Sequence, residues 1–190
     1  MDWNDLSELL DEIGSTQDRA YRLDEFRRLL TSFSPGQEGR AEVLTYLADD
    51  LMRDGQLDEA QARYQEAIDD GGRTVLEPHV GLLDVALAKG NDSAVDQILQ
   101  LLIDKSRAHE LVVGDYEWIG DSLEESGRLR DALRWFTIPL ADIQPGHVDM
   151  MPILSLNGRW RVRRALGLPL DAYDDAYDVW HGLDEPLSDN

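Results

Sequence analysis

Apolar residues recur every three or four positions along most of this chain, separated by acidic and amide side chains. Trp3, Leu6, Leu10 and Ile13 mark one stripe, Leu23, Phe26, Leu30 and Phe33 a second, and Leu44, Leu47, Ala48 and Leu51 a third. This is the period of a helix with one buried face; the alternation of a half-buried strand is nearly absent. Turn compositions interrupt the stripes at Gly14-Ser15, Ser34-Pro35-Gly36, Gly55, Gly71-Gly72, Gly90-Asn91, Gly114, Gly127, Pro145-Gly146 and Gly167 followed by Pro169. The segments between them, about 12 to 18 residues, are ordinary helix lengths, and loops this short make neighbours antiparallel. The pattern predicts an all-α chain of about ten helices folded as consecutive hairpins.

Gly55, Gly90 and Gly127 each close a helix, at spacings of 35 and 37 residues. One copy reads Leu44, Leu47, Ala48, Leu51, Gly55, Ala60, Tyr64, Ala67 and Ile68; another reads Tyr116, Ile119, Gly120, Leu123, Gly127, Ala132 and Phe136, with Pro139 following. Between them His79, Leu82, Leu83, Ala86, Gly90, Val95 and Leu99 keep the phase without its small residues. The pattern resembles the tetratricopeptide repeat, a helix-turn-helix of 34 residues. The phase carries forward to Ile153, Leu156, Asn157 and Trp160, then Tyr173 and Ala176, as a degenerate fourth copy. The resemblance covers about residues 41 to 181 and implies a right-handed stack of hairpins, a TPR-like α-solenoid. Residues 1–36 are read as an N-terminal capping hairpin with Ser15 or Thr16 as the cap between its helices, and 182–190 as a flexible tail.

Residues 159 to 180 set Arg159, Arg161, Arg163 and Arg164 against Asp171, Asp174, Asp175 and Asp178. The basic cluster is read as pairing with acidic neighbours. Tyr173, Tyr177 and Trp180, at i, i+4 and i+7, are placed against the stack, and the four aspartates on a solvated outer face of a capping helix. Asp58 is read as an N-cap.

Composition narrows the function. The chain has 190 residues, 42% hydrophobic, enough for one core, so 1–190 is taken as a single domain. A net charge of -21 repels phosphate and excludes direct binding of nucleic acid or of an anionic membrane by the general surface, while it favours cationic partners. Without cysteine there are no disulfides, thiolate nucleophiles or Cys-based zinc sites. The acidic N-terminus lacks a signal-peptide pattern and no apolar run suits a membrane span, so a cytoplasmic location is expected. No nucleophile elbow, phosphate loop or His-Glu-x-x-His motif is present, and His79, His109, His147 and His181 show no ligand spacing. No enzyme activity, cofactor or metal is expected.

What remains is surface presentation. At 100° per residue, Asp49 points about 140° from the core direction of its helix, and Asp84 and Asp121 occupy the equivalent places in the next two copies. The resemblance implies that this side lines a concave groove that binds extended peptides or partner helices. Glu117, Glu124 and Glu125 reinforce the third copy, and Trp118, three residues from Asp121, suits a Lys or Arg side chain if it faces the groove instead of packing on the preceding helix. The expected function is a non-catalytic interaction module binding a basic peptide or helix. The alternatives are a self-associating structural protein, with a homo-oligomer as its form, and an acidic mimic of nucleic acid that occupies a DNA-binding protein.

Overall fold

The computed structural model describes residues 2–182; the tail expected over 182–190 lies, but for Gly182, outside them. Ten α-helices make up the described chain: α1 (Trp3–Ser15), α2 (Arg19–Leu30), α3 (Arg40–Arg53), α4 (Leu57–Asp70), α5 (Pro78–Ala88), α6 (Asp92–Arg107), α7 (Val113–Glu125), α8 (Leu129–Thr137), α9 (Ile153–Ala165) and α10 (Ala172–Trp180). Two short 3₁₀ turns, Ile138–Leu140 and Val148–Met150, join α8 to α9. Among the described residues there is no strand, and no helix is long and apolar enough to cross a membrane. Two compact units divide the chain at residues 110 and 111, where the sequence reading expects one domain.

The helix stops follow from glycine. Gly55, Gly90, Gly127 and Gly167 all take positive φ, between 64° and 80°. After each, the next amide donates back across the turn: Gln56 to Leu51 O at 2.9 Å, Asn91 to Ala86 O at 3.0 Å, Arg128 to Leu123 O at 2.8 Å and Leu168 to Arg163 O at 3.1 Å. This left-handed closure satisfies carbonyls the helix leaves open, and a Cβ would strain each of these residues. Starts are less uniform. Asp2 caps α1 through Asp5 N at 3.0 Å, and Asp18, not Ser15 or Thr16, caps α2 through Tyr21 N at 3.1 Å. Ser15 instead donates to Glu12 O at the end of α1. Gln56 holds the N-cap position of α4, so Asp58 is no cap; exposed in the first turn, it accepts from Lys89 Nζ at 2.7 Å.

In the first unit, α3 packs on α4, α4 on α5, α5 on α6, and α3 also meets both α1 and α5. Leu6, Leu10 and Ile13 of α1 join Leu23 and Phe26 of α2 and Val43, Leu47 and Leu51 of α3 in one core. Ala60 lets α4 approach, and Tyr64, 2% exposed, lays its ring over Gly81 of α5, where a Cβ would fall inside the ring's van der Waals surface. The middle copy therefore has its small residue after all, two positions before the place the repeat phase assigns to it. Two charged clusters are also built in: Arg22 with the buried Asp50 at 2.6 Å, and Arg40 with Glu66 and Asp70.

The second unit repeats the scheme. α8 packs on α7 and α9, α7 also meets α9, and Phe136 is buried between Gly120 and Gly158, neither of which has room for a Cβ. Pro139 removes an amide donor, and α8 ends at Thr137 in a 3₁₀ turn. Arg159 and Arg163 of α9 reach Asp171 at 2.6 and 3.1 Å, and Arg163 reaches Asp174 at 3.0 Å. The expected pairing is present, but Asp174 is buried by it and is not on a solvated face. Tyr173 donates to Leu140 O and Ile143 O, and Tyr177 stacks on Trp160 with centroids 4.4 Å apart. Trp180, by contrast, is 46% exposed: α10 ends there, and its buried residues are Asp174 and Ala176. Of the other tryptophans, Trp135 is buried in α8, and Trp3 lies under the Arg73 guanidinium, 4.2 Å from its ring centroid.

Candidate functional site

Two helix faces carry the carboxylates singled out in the sequence, one in each unit. In the first, Asp49 stands on α3 and Asp84 on α5, both half-buried. The Tyr64 phenol, fixed by its seat on Gly81, donates to an Asp49 carboxylate oxygen. Burial pushes the Asp49 carboxyl up to about 7; the Tyr64 hydrogen bond and Arg53 oppose this, while Asp84 and Glu42 add to it. Glu42, two turns earlier on α3, is itself buried, accepts from Val75 N at 2.9 Å and is raised by the same desolvation. Tyr46 donates to Asp11 of α1 at 3.0 Å, and burial, with the acidic neighbours Asp11, Glu42 and Asp49, raises its phenol. Asp11, Glu42, Asp49 and Asp84 thus act on one another or on the same tyrosine, with Arg53 and Arg73 as the cations that offset them.

In the second unit, Glu117, Asp121 and Glu124 follow one another at i, i+4 and i+7 on α7 and turn toward α9. Ser155 Oγ donates to Glu117 at 3.3 Å. The Arg161 guanidinium spans Asp121 at 2.9 Å and Glu124 at 2.7 Å. Burial raises Glu117 and Asp121, the latter against the pull of Arg161. Trp118 is half-buried on α7, and Glu125 is exposed at its last residue.

The structure therefore brings Asp49 and Asp84 together, and separately Glu117, Asp121 and Glu124. The carboxylates do not stand as three equivalent free groups: Asp49 accepts from a tyrosine and Asp121 holds an internal guanidinium. Sequence reasoning missed Glu42, Tyr64 as a partner of Asp49, and Arg161 as a counter-ion. Arg161 had a signal, since it sits 37 residues after Glu124, at the same repeat phase on the next first helix. In α5 the residue at that phase is Leu87, which supplies no cation. Among the described residues no three His, Asp or Glu side chains converge as metal ligands. The fold and its faces define an all-helical protein of hairpins with carboxylates on α3, α5 and α7. No protein-family model matches the chain, and no curated protein matches it.

Proposed function

We propose that this protein is a non-catalytic interaction module built of tetratricopeptide-like hairpins, and that the α3–α5 face of its first unit binds a segment bearing Arg or Lys. The observation that carries the reading is the contrast between its two carboxylate faces. In the second unit a guanidinium of the chain itself, Arg161, bridges the acids of α7. In the first unit the corresponding residue is Leu87, and Arg53 opposes but does not cancel the rise that burial, Asp84 and Glu42 impose on the Asp49 carboxyl. A cation brought by a partner would oppose that rise further, as Arg161 does next to Asp121.

The test uses arginine- and lysine-containing peptides selected from a displayed library against the whole chain. Asp49→Asn with Asp84→Asn is expected to weaken their binding about 10-fold or more, roughly 1.4 kcal/mol. Asn at 49 keeps an acceptor for Tyr64, so packing is preserved. The control is Asp175→Asn with Asp178→Asn, an exposed and a half-buried residue of α10 carrying the same charge. Equal weakening by both pairs would reduce the effect to net charge and refute the proposal. Affinity is also expected to fall as salt rises, because screening shortens the field to about 8 Å at physiological ionic strength.

A further inference from the structure

The arginines of this chain are almost all engaged. Twelve of the sixteen hold a carboxylate within 4.0 Å. Arg73 and Arg164 lie over the rings of Trp3 and Trp160. Both lysines are ion-paired as well, Lys89 with Asp58 and Lys105 with Glu77. That leaves Arg130 and Arg134, exposed on α8, with neither a carboxylate nor an aromatic partner among the described residues. In a protein with more than two acidic residues for each basic one, free guanidiniums are the exception, and these two stand together. Four residues apart, they project from one side of α8 about 6 Å apart along its axis.

Between and beyond them lies a shallow apolar hollow of about 380 Å³, lined by Leu133, Thr137, Ile138 and Ala141 as well as the two arginines. Its position follows from Pro139, which stops α8 at Thr137 and turns Ile138 and Ala141 back beside Leu133. The Thr137 hydroxyl is satisfied by donating to Leu133 O within the helix at 2.6 Å. Asp131, the acid nearest in sequence, is held by Arg128 at 2.9 Å.

We propose that this surface of α8 is a docking site for an acidic protein segment, in which two carboxylates pair with Arg130 and Arg134 and an apolar side chain enters the hollow between them. Arginine forks match carboxylates bidentately, and the spacing suits acids one turn apart on a helix, or alternate residues of a strand at about 6.6 Å. A protein segment fits better than nucleic acid. The hollow's floor is aliphatic, with no ring for a base to stack on, and the net charge of -21 repels a polyphosphate along its whole length while a short segment meets only the local pair. This site is independent of the α3–α5 face: it takes the opposite charge and lies in the other unit.

The experiment is a selection of random displayed peptides on the whole immobilised chain, counter-selected on the Arg130→Gln/Arg134→Gln double variant. Both residues are exposed, and equal melting temperatures establish that the variant is folded. The expected result is enrichment of peptides with two carboxylates about one helical turn apart and an apolar residue between them. They should bind the double variant at least about ten-fold more weakly, bind Leu133→Asp weakly too, and bind Asp49→Asn/Asp84→Asn as they bind the parent. Recovery of no peptide that depends on the arginine pair overturns the proposal. So does a single-stranded oligonucleotide that binds as tightly as the peptides and loses affinity in the same variant, since the site then recognises phosphate. Self-association of the chain abolished by the double variant would also overturn it, because the occupant would be a second copy.

Discussion

Asp49 shows how one side chain ties packing to binding. Its carboxyl is lifted to about 7 by burial, with a tyrosine hydrogen bond pulling the other way. A folded-state value above the unfolded one of about 3.9 means that the native state binds the extra proton. Its contribution to stability is full below about pH 4 and is lost as pH rises through 7. Asp49→Asn, which cannot ionise, should therefore gain on the parent as pH increases, with its melting temperature higher relative to the parent at pH 8 than at pH 4. A pH-independent difference in thermal melts would place the carboxylate in solvent. The same ionisation should have the opposite sign for binding. Affinity for a basic peptide should rise between pH 6 and 8 as the charge appears, and Asp49→Asn should abolish that rise.

At the scale of the element, the fold turns on aromatic rings lodged over glycines. Gly158→Ala offers a helix about 1 kcal/mol of propensity, but its methyl would enter the space of Phe136, which is 1% exposed and also pressed by Gly120. Overpacking at about 1–3 kcal/mol should win, lowering the urea midpoint, whereas in a Phe136→Leu background the same change should be neutral or stabilising. α10 is held by charge as well as by the packing of Tyr173, Ala176 and Tyr177. Arg159→Ala leaves the buried Asp174 with Arg163 alone and should cost about 3 kcal/mol, the order found for breaking a buried pair. Hydrogen exchange should show the α10 amides losing protection first. Apolar periodicity made the helices, their four glycine stops and the burial of Ala60, Tyr64 and Phe136 legible in advance. It could not reveal Gly81, because where the Tyr64 ring lands depends on how α4 crosses α5 and not on the repeat period. Nor could it reveal that Asp174 goes inside while Trp180 stays out, since two arginines on another helix decide the first and the end of α10 decides the second. The carboxylate faces were legible as spacing, but their internal partners were not. Tyr64 and Arg161 reach them across helix contacts 15 to 40 residues apart in the chain.

At the scale of the molecule, the two proposed surfaces should respond to ionic strength with different slopes. A basic peptide on α3–α5 is drawn by the net charge and loses that attraction in salt; an acidic segment on α8 is opposed by the net charge and loses that opposition. Over a salt titration the affinity of the first should fall more steeply than that of the second. The two compact units also differ in their natural fluorophores. Trp3 is the one indole of residues 1–110, while Trp118, Trp135, Trp160 and Trp180 all belong to 111–190. Intrinsic emission is therefore weighted toward the second unit, and far-ultraviolet circular dichroism, which counts helical peptide bonds, is weighted toward the six helices of the first. Each unit has a core cluster of its own, so the two signals should trace separate denaturant transitions, and coincident curves would mean that the units unfold as one. With Trp3 replaced by Phe, emission becomes a private readout of α7 to α10, and a peptide whose binding protects one unit can be assigned to it by colour alone.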